Sequence, residues 1–175
     1  MIPVDKFLLQ AGGTNYLGIS YNRLDCQALV EQVLKDAGEK GHNWRGSNHM
    51  WRDALSERHA DVDFSIYDNI PAGAWLFTLR HDGGERTKGY NDGLGNAKHV
   101  GIYLGNGDVK HSTSGTSGGL GGVQMDRITS GRWNAWGLCK YIDYTIPGAD
   151  GDRWAAVLDA LELIKQYIVE VHDRG

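Results

Sequence analysis

The sequence predicts an α+β fold in which helices come first, a run of antiparallel strands follows and a helix closes the chain. Three observations predict it: an amphipathic helical stripe from Leu24 to Ala37, strand-like segments between Ala74 and Tyr144, and a second helical stripe from Asp152 to Val171. Helices and strands do not alternate one by one, so a parallel βαβ sheet is not expected. At 175 residues the chain suits a single domain, 1–175, with its core at about 16–145 and a C-terminal helix at about 152–172.

Between Leu24 and Ala37 the apolar residues fall at Cys26, Leu29, Val30, Val33, Leu34 and Ala37, the i, i+3, i+4, i+7 pattern of a helix with one buried face. Gly38 is a natural stop, and Asn22 and Asp25 are alternative N-caps; either leaves Cys26 in or near the first turn. A shorter helix is expected at Asn48 to Arg58, with Met50, Trp51, Ala54 and Leu55 on one side. Pro71-Ala72-Gly73 marks a turn into a strand at Ala74 to Leu79, and the polar, glycine-rich stretch from His81 to Asn96 reads as a long loop. A strand at Lys98 to Leu104 places His99, Gly101 and Tyr103 on one face; Gly105-Asn106-Gly107 signals a hairpin, with Asp108 to Thr113 returning. Gly115 to Gly122 reads as a surface loop, and a last strand is expected at Trp136 to Tyr144. The closing helix carries Trp154, Val157, Leu158, Leu161, Ile164, Ile168 and Val171 on one stripe.

Composition narrows the function classes. The chain holds 25 glycines, where average usage of about 7% would give roughly a dozen, and they gather where loops would build a site. Formal net charge is −4 with no basic patch, so nucleic acid is not an expected partner. No apolar run approaches the length of about 18 residues that a membrane span needs, and the first residues lack the pattern of a signal peptide. Membrane insertion is therefore not expected, and a chain acting outside a cell would need a route other than an export signal of its own. The two cysteines, Cys26 and Cys139, lie far apart and form no disulfide framework.

Cys26 is the first candidate for chemistry. At a helix N-terminus the macrodipole and unpaired N–H groups favour thiolate and can stabilise an oxyanion. Alone, it reads first as an ordinary buried residue at the start of an apolar stripe. His99 and His111 change the weighing. With a three-residue loop at Gly105 to Gly107, Leu104 pairs with Asp108 and Gly101 with His111, which sets His99 diagonal to His111 on one face, about 7–8 Å apart at the backbone. A two-residue turn at Asn106-Gly107 would put them on opposite faces. On one face, His99 can take the thiol proton while His111 holds its other ring nitrogen. Gly101 would leave room for a substrate.

Asp25-Cys26-Gln27-Ala28-Leu29-Val30, then Ile70-Pro71-Ala72-Gly73-Ala74-Trp75-Leu76-Phe77, then His99-Val100-Gly101-Ile102-Tyr103-Leu104-Gly105-Asn106-Gly107, then His111 together resemble the signature of NlpC-type (NlpC/P-sixty) cell-wall cysteine peptidases. The resemblance runs from Tyr21 to His111 in order and spacing, more loosely to Tyr144. It implies a papain-like core in which the cysteine-bearing helix packs on an antiparallel sheet carrying both histidines. It also implies hydrolysis of peptidoglycan stem peptides between D-γ-glutamate and a diamino acid, through a thioester, with no metal or organic cofactor. Cys26, His99 and His111 would be catalytic; Tyr21, Asp25 and Gln27 would lie on the substrate side. The family usually carries a small serine where this chain has Gln27, which bears on cleavage preference, and Asp25 reads equally as a plain N-cap.

Other readings stay open at this point. Related papain-like folds include amidases that cut between the sugar and L-alanine, and a non-catalytic wall-binding or phage tail module could share the fold. Cys26, His99 and His111 are also zinc-ligand types, although no close-spaced ligand pair of the His-Glu-x-x-His kind is present.

Overall fold

The computed structural model describes residues 1–81, 90, 92–116 and 119–145. The chain divides into two units, Met1–Tyr144 and Thr145–Gly175. The expected C-terminal helix lies outside the described residues, as does most of the expected loop after His81. In chain order the elements are β1 (Ile2–Pro3), α1 (Val4–Gly12), α2 (Cys26–Asp36), α3 (Ser47–Asp53), β2 (Leu55–Ala60), β3 (Trp75–Arg80), β4 (Asn96–Gly105), β5 (Asp108–Thr116), β6 (Gly119–Arg127), β7 (Ala135–Cys139) and β8 (Ile142–Asp143). The fold is α+β. Six strands form an antiparallel sheet in the order β2-β7-β3-β4-β5-β6, and β1 pairs in parallel with β8.

Helix α2 follows its apolar stripe: Cys26, Leu29, Val30, Val33 and Leu34 are all buried. Each fully buried Leu or Val contributes about 1.5–3 kcal/mol relative to exposure. Of the two candidate caps the fold uses Asp25, whose carboxylate accepts the Ala28 N–H at 2.8 Å. The helix closes as Gly38 and Glu39 donate to the carbonyls of Lys35 and Leu34.

Three expectations need correction, and one element was not expected: helix α1, whose buried face is Val4, Phe7, Leu8 and Ala11. The expected helix at Asn48 to Arg58 ends at Asp53, and Leu55–Ala60 runs as edge strand β2 beside β7. Arg58 accounts for the break, because its guanidinium donates to the carbonyls of Trp51 and Arg52 at the C-terminal end of α3 and to that of Leu55 at the start of β2. Where a surface loop is expected at 115–122, the described residues of that stretch belong to β5 and β6. The last expected strand is split into β7 and β8 by a turn at Lys140 and Tyr141.

The sheet is covered on both faces. Helices α2 and α3 pack on β4, and Trp51 of α3 meets Phe77 of β3 edge-on at 5.0 Å. On the opposite face Phe64, Ile70, Leu76, Tyr103, Val109, Ile128, Trp133 and Trp136 form an apolar cluster. Lys110 is buried on the helix side, where its ammonium donates to the Gly13 carbonyl at the end of α1 and lies 5.9 Å from the Tyr16 ring. Burial pushes this amine down to about 8. Among the described residues no helix is long and apolar enough to cross a membrane.

Candidate active site

The two histidines meet, by a different route from the one the sequence suggested. Gly105 pairs with Asp108, so the turn holds two residues, Asn106 and Gly107, with φ of +50° and +81° as a type I′ hairpin requires. Unaided, that turn would put His99 and His111 on opposite faces. A β-bulge restores the parity: Tyr103 pairs with Val109, Leu104 is the extra residue of β4, and Gly101 comes opposite His111. The pairing of Gly101 with His111 is the one expected; the bulge supplies the odd residue, not the loop.

His99 Nε2 then lies 2.8 Å from His111 Nδ1, with the rings nearly perpendicular at 87°. His111 is wholly buried, and Trp133 covers the pair, stacking on His99 and meeting His111 edge-on, each with centroids 5.4 Å apart. The indole occupies the space that Gly101 leaves, so Gly101 makes room for Trp133 and not, as expected, for a ligand. A Cβ on Gly101 would stand 2.7 Å from the indole and 3.2 Å from His111 Cβ. Gly101→Ala is accordingly expected to cost about 1–3 kcal/mol by overpacking, read as a lower denaturation midpoint. An unchanged midpoint would mean that Trp133 yields freely.

Cys26 is the first residue of α2 and only 7% exposed. The entering chain is held by β6 and β5: Ser20 bridges to Gly122, Tyr21 N–H donates to the Gly121 carbonyl, and Ser112 Oγ donates to the Leu24 carbonyl. The backbone of Val100, Gln27 and Cys26 itself favours thiolate at the sulfur. Burial outweighs this, Asp25 acts with burial, and the thiol is pushed up. The expected depression by the helix N-terminus is therefore not what prevails in the resting protein, and Cys26 rests as a thiol at neutral pH. Tyr21 lies on the same side: burial, then the charge that Cys26 takes on when it ionises and that of Asp25, raise its phenol.

Gln27 is committed elsewhere. Its carboxamide donates to Glu31 and to the Trp44 carbonyl and accepts the Gly46 N–H, which clamps residues 44–46 to α2. Three residues that the sequence reading missed complete the surroundings: Trp133, and on β6 Gln124 and Asp126, at 3.5 and 3.7 Å from His111 Nε2. The strand β6 was not foreseen, so nothing in the pattern pointed to them. Cys139 is a free thiol buried in β7 and pushed up to about 12 by burial; Cys26 is free as well. Among the described residues no three His, Cys, Asp or Glu side chains are grouped for a metal ion.

Both imidazoles are held below their ordinary 6.5, His99 by burial, then by His111 and Arg132, and His111 by burial, then by Arg132; Asp126 opposes the shift at each. The folded chain thus binds fewer protons than the unfolded chain below 6.5, so stability is complete above that value and is lost as pH falls through it. Chemical denaturation at stepped pH should show the midpoint falling between about pH 6.5 and 4.5, before carboxylates titrate. His111→Gln, with one imidazole fewer, should fall less steeply; equal slopes would contradict the assignment.

A scan of the chain against models of protein families returns no match, and neither does a search of the curated proteins.

Proposed function

We propose that this chain is a papain-like cysteine endopeptidase that hydrolyses peptidoglycan stem peptides, at the bond between D-γ-glutamate and a diamino acid. The observation that carries the reading is the 2.8 Å bond between His99 Nε2 and the buried His111, beside a helix whose first residue is Cys26. That bond leaves His99 Nδ1 as the nitrogen free to act as base, and the sulfur lies against the backbone of Val100, the next residue along β4. The order Cys, His, His and the motifs around them supply the choice of substrate.

The chemistry follows from neutral partners. His99 Nδ1 takes the Cys26 proton as the sulfur attacks the carbonyl carbon, and the N–H groups at the start of α2 face the oxyanion. Asp25 occupies the Ala28 N–H, so those of Cys26 and Gln27 remain available. Collapse expels the diamino acid amine with the proton from His99 and leaves a thioester. Water, deprotonated by His99, then releases the acid and restores the thiol.

Digestion of purified peptidoglycan followed by mass spectrometry tests the reading. New free amino groups on the diamino acid support it. New amino groups on L-alanine would instead make the chain an amidase, and no products would leave a non-catalytic wall-binding or phage tail module.

A further inference from the structure

The hydrogen bonding of the imidazole pair reaches one residue beyond it. If His99 Nδ1 is to receive a proton, neutral His99 carries its own on Nε2 and donates it to His111 Nδ1 over 2.8 Å. His111 Nδ1 is then an acceptor, so neutral His111 carries its proton on Nε2. That N–H points toward Gln124, 3.5 Å away, and Asp126 Oδ2, 3.7 Å away, from a ring with no exposed surface. An N–H facing the nitrogen of the Gln124 amide is two donors opposed, and turning the amide presents its oxygen. Among the described residues Asp126 is the one carboxylate within ion-pair distance of His111, and it in turn pairs with Arg132 Nε at 3.4 Å.

We propose that Asp126 is a positioning residue for the catalytic pair, its negative charge favouring, beside the turned Gln124 amide, the Nε2–H form of His111 and proton uptake at His99. Arg132 sets the strength of that charge from the other side. The inference rests on the functional reading above for its role in turnover, but not for the tautomers. At 3.7 Å the carboxylate acts through charge in the resting state, and the contact shortens when the proton arrives. The charged and titratable groups facing the relay are then His99 on β4, His111 on β5, Asp126 on β6 and Arg132 after it, with Cys26, Asp25 and Tyr21 at the sulfur end.

Two measurements on the full chain test it without a substrate. Nitrogen-15 NMR of the histidines should give the Nε2–H form for both rings. Alkylation of Cys26 by iodoacetamide at pH 7, carried out in a Cys139→Ala background, reads how readily the thiol proton moves to His99. Asp126→Asn should slow it about tenfold, one unit of imidazole basicity, and Arg132→Gln should speed it by a similar factor. Asp126→Glu, which keeps the charge, should recover most of the rate. Unchanged alkylation in Asp126→Asn, shifts of the same sign in both variants, or an Nδ1–H form of His111 would overturn the proposal. If the chain leaves peptidoglycan intact while these shifts occur, the substrate reading fails and the relay stands.

Discussion

Replacing Cys26 with alanine is expected to abolish peptidoglycan hydrolysis, lowering the rate by a factor of about 10³ or more, while the fold persists. Under the proposed function the chemistry has no second route, because the thioester needs the sulfur and His99 can only move protons. The fold has little to lose. Alanine favours a helix, the Asp25 cap on Ala28 is untouched, and one sulfur atom of buried volume is worth on the order of 1 kcal/mol. Cys139→Ala supplies the comparison: that thiol is buried in β7 and should be dispensable to turnover although its loss lowers stability. Product release measured for both variants beside their denaturation midpoints separates the cases. Hydrolysis by Cys26→Ala at the unmodified rate would dismiss Cys26 as nucleophile.

How much of this site could be read from residues alone depended on which physical signal was strong. The stripe from Cys26 to Leu34 and the alternation around His99 are periodic, so α2 and the β4–β5 hairpin were foreseen, as was the pairing of Gly101 with His111. A bulge leaves no such trace. Leu104 looks like any strand residue, and the odd residue that aligns the histidines was assigned to the loop instead. Glycine density misled in the other direction. A Cβ on Gly121 or Gly122 would stand 2.5 Å from backbone atoms of Ser114 or Ile19, so these glycines admit close strand packing where the sequence suggested an irregular loop. With β6 missed, Gln124 and Asp126 were missed too. The state of Cys26 was misjudged for a related reason: the helix terminus is a local feature, whereas the burial that outweighs it is a property of the folded chain.

Replacing His111 with alanine should leave a folded protein with hydrolysis reduced by roughly 10³–10⁴, the penalty typical of a catalytic histidine whose tautomer is no longer fixed. The ring has no exposed surface, so its removal opens a gap beneath Trp133 and should cost about 1–3 kcal/mol, read as an earlier denaturation midpoint. The loss of rate is larger than that, and its origin can be isolated. Without an acceptor at 2.8 Å, His99 Nε2–H is unsupported and the imidazole is free to take the other tautomer or turn from Cys26. Asparagine at this position offers an amide oxygen to that N–H but no imidazole. If tautomer and orientation are what His111 provides, His111→Asn should recover a large part of the rate while His111→Ala does not. Recovery to the full rate would make the link to Asp126 dispensable for turnover. No recovery, with the fold intact, would mean that a titrating ring is required between His99 and Asp126. Full activity in His111→Ala would remove His111 from the mechanism.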